Sequence, residues 1–273
     1  MSLSSFTASD GVRLNFETAG TGLPFIWQHG LGADRNQPAE VFPDIAGYQR
    51  ITLECRGHGG SEVGDRDKLS IERFSQDVLE LMRHLELTSV IIGGISLGAA
   101  IALRVAAMAP SSVRGVILAR PAWVIDPAPD TLKPYVEVAR LLKTYGPIEG
   151  AQCFEQSPSL AEVEKASPDN AQSLRWFFER PRRDSTEDLL SRIPLDGPGV
   201  SEETMRSLSV PVLVIGNACD YVHPIATARA LADIIPGAEF REITGKSISK
   251  DAYVADFKRE LAMFLTEARE ELP

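Results

Sequence analysis

Cysteine is scarce in this chain, and histidine is missing from its C-terminal end. The only cysteines are Cys55, Cys153 and Cys219. They are far apart, odd in number and form no CxxC pair. That excludes a disulfide framework and a thiolate metal site, and suits free thiols in a reducing compartment. No apolar run approaches the roughly 20 residues a membrane span needs. The opening Met1-Ser2-Leu3-Ser4-Ser5-Phe6 lacks both the basic and the apolar region of a secretory signal, so a cytoplasmic location is the expectation. Positive charge is in deficit: 28 Lys and Arg against 38 Asp and Glu leave a net charge of −10. This argues against nucleic acid or an anionic membrane as partner and leaves a small molecule. Of the four histidines, His29, His58, His84 and His223, none lies beyond position 223.

With 273 residues, 44% hydrophobic and 24% charged, the chain can bury a substantial core. Leu3 to Phe16 reads as a hairpin around Asp10-Gly11. Pro24-Phe25-Ile26-Trp27-Gln28 and Arg50-Ile51-Thr52-Leu53 read as short buried strands. Ile71, Phe74, Val78, Leu81, Met82 and Leu85 keep helical spacing behind Ser70, a suitable N-cap. Strands then alternate with helices: Val90 to Gly93, a helix from Leu97, and Val113 to Leu118. After a long interruption the rhythm resumes with Pro211 to Gly216, a helix over 224–234, Ala238 to Ile243 and a final amphipathic helix. Near-continuous apolar strands separated by helices predict an α/β fold with a mostly parallel sheet covered on both faces. The interruption, residues 121–207, contains no convincing strand and several amphipathic helices broken by prolines. It is expected to be a helical cap inserted into a core of residues 1–120 and 208–273.

The segment Gly94-Ile95-Ser96-Leu97-Gly98 carries the sharpest chemical signal. It follows the apolar strand Val90 to Gly93 and opens the small-residue helical run Ala99 to Ala109. A buried strand turning abruptly into a helix sets the serine on a strained bend at the positive helix end, with flanking glycines allowing close backbone approach.

Four collinear motifs make the chain similar to the α/β-hydrolase family over nearly its full length. Gln28-His29-Gly30-Leu31-Gly32 resembles the family's HG loop. Glu54-Cys55-Arg56-Gly57-His58-Gly59-Gly60-Ser61 resembles the D-x-R-G-H-G-x-S segment, with Glu54 in place of Asp. The elbow centres on Ser96, and Gly216 to Pro224 resembles the loop that bears the acid. The resemblance implies Ser96 as nucleophile, Asp220 as acid, and the amides of Leu31 and Leu97 as an oxyanion hole. It implies no cofactor and no metal. A serine at the elbow argues against the haloalkane-dehalogenase and epoxide-hydrolase branches, which carry Asp there.

A serine hydroxyl needs a base at neutral pH, and the family places its histidine just after the last strand. Here Lys246 stands in that region. Lys246 has three readings: an ion pair with Asp220, a base assisting Ser96, or an exposed lysine. A lysine base needs a lowered pKa, and an adjacent Asp220 works against this. His223 is the best replacement base, since its loop lies at the carboxyl edge of the sheet. His29 and His58 are expected to serve loop architecture and His84 a solvated helix face. Cys219 is read as packing. Trp123, Trp176, Phe177 and Phe178 either line a pocket or form the cap's own core. Arg180, Arg182 and Arg183 are either a solvated charge run or a seat for an acidic substrate. Two functions compete: a serine hydrolase of a small carboxylic ester, lactone or related acyl compound, and a non-catalytic ligand-binding homologue that has lost its base. Without an imidazole near Ser96, the enzyme would be a weak general esterase.

Overall fold

The computed structural model describes residues 1–271. Asp10-Gly11, with Gly11 at φ +85°, turns β1 (Ser2–Thr7) into the antiparallel β2 (Arg13–Gly20). The strands β3 (Gly22–Gln28), β4 (Gly47–Leu53), β5 (Val90–Ile95), β6 (Val113–Ala119), β7 (Val212–Gly216) and β8 (Glu239–Glu242) complete one sheet. Its order is β1-β2-β4-β3-β5-β6-β7-β8, parallel from β4 onward.

Alternation along the central strands divides the core in two. Ile26, Ile92, Val116, Leu118 and Val214 enter one cluster, while Phe25, Trp27, Ile91, Ile117, Leu213 and Ile215 enter the other. Strands buried on both faces need helices on both faces, because side chains of successive residues point to opposite sides. The first face packs against α2 (Ile71–His84) and α3 (Leu97–Met108), as well as α9 (Ile225–Ile234). The second is covered by α10 (Lys250–Glu271) with the short α1 (Asn36–Val41). Ser70 caps α2 as expected, its hydroxyl accepting from the Arg73 N–H at 3.1 Å. The predicted core strands and helices thus occur in the predicted order.

Between β6 and β7 lie α4 (Lys133–Glu155), α5 (Pro158–Ala166), α6 (Pro168–Trp176), α7 (Arg183–Arg192) and α8 (Glu202–Arg206). The prolines punctuate this stretch by different means. Pro158 and Pro168 open helices at the first position, where a missing N–H costs nothing. Pro147 follows Gly146, whose φ of +71° kinks α4. Buried residues of these helices, among them Val138, Leu174 and Leu189, continue the first core cluster without a break.

This helical segment is tied to the core by guanidinium groups. Arg180 Nη2 donates to Gly57 O at 2.9 Å, and its Nε to Gly32 O at 3.1 Å. Arg182 Nη1 donates to Gly59 O and Ser61 O at 2.8 and 2.7 Å. Neither expectation for these two arginines holds: both reach carbonyl oxygens of core loops, Arg182 also pairing with Asp184 at 2.9 Å, while Arg183 is exposed. Among the described residues no helix is long and apolar enough to cross a membrane.

Candidate active site

Five segments at the carboxyl ends of the parallel strands, after β3, β5, β6, β7 and β8, meet at one cavity of about 810 Å³, and the helices between β6 and β7 roof it. The turn from β5 into α3 supplies Ser96, at φ +57° and ψ −111°. A non-glycine residue there costs on the order of 1–3 kcal/mol and persists only where its surroundings over-determine it. The surroundings are two glycines without side chains. A Cβ on Gly94 would lie 2.4 Å from the Gly98 carbonyl carbon, and one on Gly98 would lie 2.5 Å from Gln28 O. The Ser96 N–H is fixed to Ala119 O of the neighbouring strand at 2.9 Å. Its hydroxyl is therefore held outward, half-buried, on the cavity wall.

The loop after β7 brings Asp220 and His223 to the same wall. Ser96 Oγ lies 2.8 Å from His223 Nε2, and His223 Nδ1 lies 2.9 Å from Asp220 Oδ1. The His223 backbone N–H donates to that same carboxylate oxygen at 3.1 Å. A carboxylate only accepts, so this network assigns the ring proton to Nδ1 and leaves Nε2 to accept the Ser96 hydroxyl proton. Burial pushes the His223 pKa below its usual 6.5, further aided by the Arg120 charge and only partly opposed by Asp220. The ring is thus neutral at pH 7. Burial alone would raise the Asp220 pKa, but the charges and hydrogen bonds of Arg120 and His223 outweigh it and hold the group well below the usual carboxylate range.

Arg120 is the site residue that sequence reasoning missed. Its Nε donates to Asp220 Oδ2 at 2.6 Å, and its Nη1 to the Tyr253 hydroxyl at 3.3 Å. One signal was available: a charged residue directly ends the apolar strand Val113 to Ala119.

Lys246 also lines the cavity, but it forms no ion pair among the described residues. The expected Lys246–Asp220 pair is therefore corrected. Both Asp220 oxygens already accept, Oδ1 from His223 and Oδ2 from Arg120 and from Asn217 Nδ2 at 3.4 Å.

Leu31 lies on the cavity wall, and Leu97 is the first residue of α3, directly after Ser96. The loop carrying Leu31 is braced from below. The Gly32 N–H donates to His58 Nε2 at 3.0 Å, and the Cys55 N–H to His29 Nε2 at 3.0 Å. Both rings are fully buried, which lowers their pKa values and keeps them neutral. His84 is exposed and stacks on Phe6 at 5.4 Å. Trp176 and Phe177 line the cavity, whereas Trp123 and Phe178 are buried in the core. Cys219 is half-buried against Gly245. Among the described residues no group of His, Cys, Asp and Glu has an arrangement fit to hold a metal ion.

Comparison with known proteins bears on the fold. A family model for the alpha/beta hydrolase fold matches residues 24–146. The chain is 28% identical over 262 residues to 3-oxoadipate enol-lactonase 2 of Acinetobacter baylyi, covering 90% of each protein. It is 37% identical over 109 residues to the dihydrolipoyllysine-residue acetyltransferase component of an acetoin cleaving system from Pseudomonas putida, covering 38% of this chain but only 28% of that protein. The crystal structure of the enol-lactonase from Burkholderia xenovorans LB400 superposes with a TM-score of 0.72 at 22% identity, covering 96% of this chain and 100% of that one.

Proposed function

We propose that this α/β-hydrolase-fold protein cleaves a carboxylic ester, lactone or related acyl compound through a Ser96 acyl-enzyme, with His223 as base and Asp220 orienting it. The observation that carries the reading is the unbroken chain of contacts, 2.8 Å from Ser96 Oγ to His223 Nε2 and 2.9 Å from His223 Nδ1 to Asp220 Oδ1. The similarity to a protein named an enol-lactonase supports the choice of acyl substrate.

In the first half-reaction Ser96 Oγ attacks the substrate carbonyl carbon while His223 Nε2 takes the hydroxyl proton. The carbonyl oxygen becomes an oxyanion, which the N–H groups of Leu31 and Leu97 stabilise. Asp220 stabilises the imidazolium that results. Collapse of the intermediate breaks the bond to the leaving alkoxide, which receives the proton from His223. Water then enters, gives a proton to His223 and attacks the acyl carbon. The acid is released and the proton returns to Ser96. With an imidazole at hydrogen-bond distance, activity is expected well above the weak esterase level of a site without a base.

A fluorophosphonate probe and p-nitrophenyl acetate turnover test this. The probe is expected to label wild type and not Ser96→Ala. His223→Ala should lower kcat/KM by about 10²–10⁴-fold, the usual value of general-base assistance. Equal turnover by wild type, Ser96→Ala and His223→Ala, with no labelling, would leave the ligand-binding reading in its place.

A further inference from the structure

We infer that Arg120 is the positioning residue of this site: its guanidinium holds the Asp220 carboxylate in the orientation that presents Oδ1 to His223. The inference rests on the roles given above to Ser96, His223 and Asp220.

The acid and the base come from a single loop, three residues apart. That loop secures one carboxylate oxygen, since Oδ1 takes both the backbone N–H and the ring Nδ1–H of His223 at 3.1 and 2.9 Å. The second oxygen receives from within the loop only the 3.4 Å contact with Asn217. A carboxylate gripped at one oxygen is free to swing about its terminal torsion, which is broad and two-fold. Arg120 Nε at 2.6 Å from Oδ2 closes that freedom. A charge-assisted bond of this length is about twice as strong as a neutral one.

The geometry around Arg120 is built to deliver that nitrogen. The residue directly follows β6, and its N–H donates to Ile215 O of β7 at 2.7 Å. Its φ is +46°, uncommon for a residue with a side chain. The guanidinium is nearly fully buried, with its carbon 5.6 Å from the Tyr253 ring centroid and Nη1 3.3 Å from the Tyr253 hydroxyl. Backbone strain and a buried cation are both costly, and the shortest contact set against that cost is the 2.6 Å bond to Asp220.

The charge matters as well as the grip. The charges acting on His223 are Asp220 of its own loop, Arg120 after β6 and Asp169 of α6; Tyr135 of α4 and Lys246 after β8 line the same cavity, and Tyr253 of α10 adjoins Arg120. Asp169 lies 4.0 Å from Arg120 Nη2. Without Arg120 the ring would face two carboxylates with no adjacent guanidinium, and it would hold its proton to higher pH.

Arg120→Met and Arg120→Lys separate the grip from the charge. Arg120→Met should lower kcat on p-nitrophenyl acetate by about 10²-fold, as misplaced catalytic groups do, with a much smaller change in KM. The acid limb of its pH–rate profile should move to higher pH. Arg120→Lys keeps the charge but lacks the planar fork, so the limb stays near its wild-type position while kcat remains low. Histidine ring NMR, with His223 assigned by its loss in His223→Ala, reads the same titration without turnover. A failure of the esterase reading therefore leaves this measurement intact. A folded Arg120→Met with wild-type kcat and wild-type His223 titration overturns the inference. If Arg120→Met does not fold, wild-type kcat in Arg120→Lys overturns it.

Discussion

At the scale of single residues, the serine turn and the neutral imidazole each make a measurable demand. Gly98 has no room for a side chain, since its Cβ would stand 2.5 Å from Gln28 O. Gly98→Ala must push α3 away from β3, a strain typically worth about 1–3 kcal/mol. Its melting temperature should fall, and the Ser96–His223 contact should lengthen, which thermal denaturation and turnover on the same sample would read together. For His223 the sign follows from burial, which lowers its pKa below 6.5. As the proposed base, His223 acts when unprotonated. Wild-type kcat/KM is therefore expected to rise with an acid-limb midpoint below 6.5 and stay flat toward pH 8. A midpoint above that value would mean the ring is not held as described. Ser96 was legible because the Gly-x-Ser-x-Gly pattern and its strand–helix context are local. The Asp220–Arg120 pair was not, because it joins residues 100 positions apart that only the sheet order makes neighbours.

At the scale of elements, the helical segment between β6 and β7, read as a cap, is fastened to the core by Arg180. This guanidinium is buried and forms no ion pair among the described residues, and burial together with the nearby Arg182 lowers its pKa to about 10. Its donors serve Gly32 O, Gly57 O and Thr186 Oγ1. Arg180→Met would leave buried carbonyls unpaired, at roughly 1–3 kcal/mol each. Because Gly32 adjoins Leu31, this variant should also raise KM and lower kcat, and faster proteolysis between residues 121 and 207 should accompany the loss of stability. Wild-type kinetics and proteolysis would show that the cap is held by its apolar contacts alone. The helical nature of this segment was readable from its prolines and the absence of strand patterns. Its attachment was not, since Arg180 and Arg182 look like a solvated charge run until the carbonyls of distant loops are brought beneath them.

At the scale of the whole molecule, buried neutral histidines set an acid limit on stability. His29, His58 and His223 all have pKa values lowered from 6.5 by burial. In the unfolded chain each takes up a proton near pH 6.5, whereas in the folded chain it does so only at lower pH. The unfolded state thus binds more protons in that window, and stability falls as pH drops below about 6.5. Urea unfolding at pH 8, 6.5 and 5 should give a steadily decreasing free energy. A flat profile would show that these rings titrate normally in the fold. The sheet itself was legible throughout, because strands buried on both faces are written as short apolar runs at regular intervals. Asp220 and His223 occupy a single turn, so any shift of that loop carries both together and leaves their mutual contact intact. The contacts that depend on the alignment of separate segments are the one to Ser96 and, for Asp220, the one to Arg120. The stretch after β8 is thereby freed from supplying a base, although Gly245 still packs against Cys219 of the acid loop and Lys246 still lines the cavity.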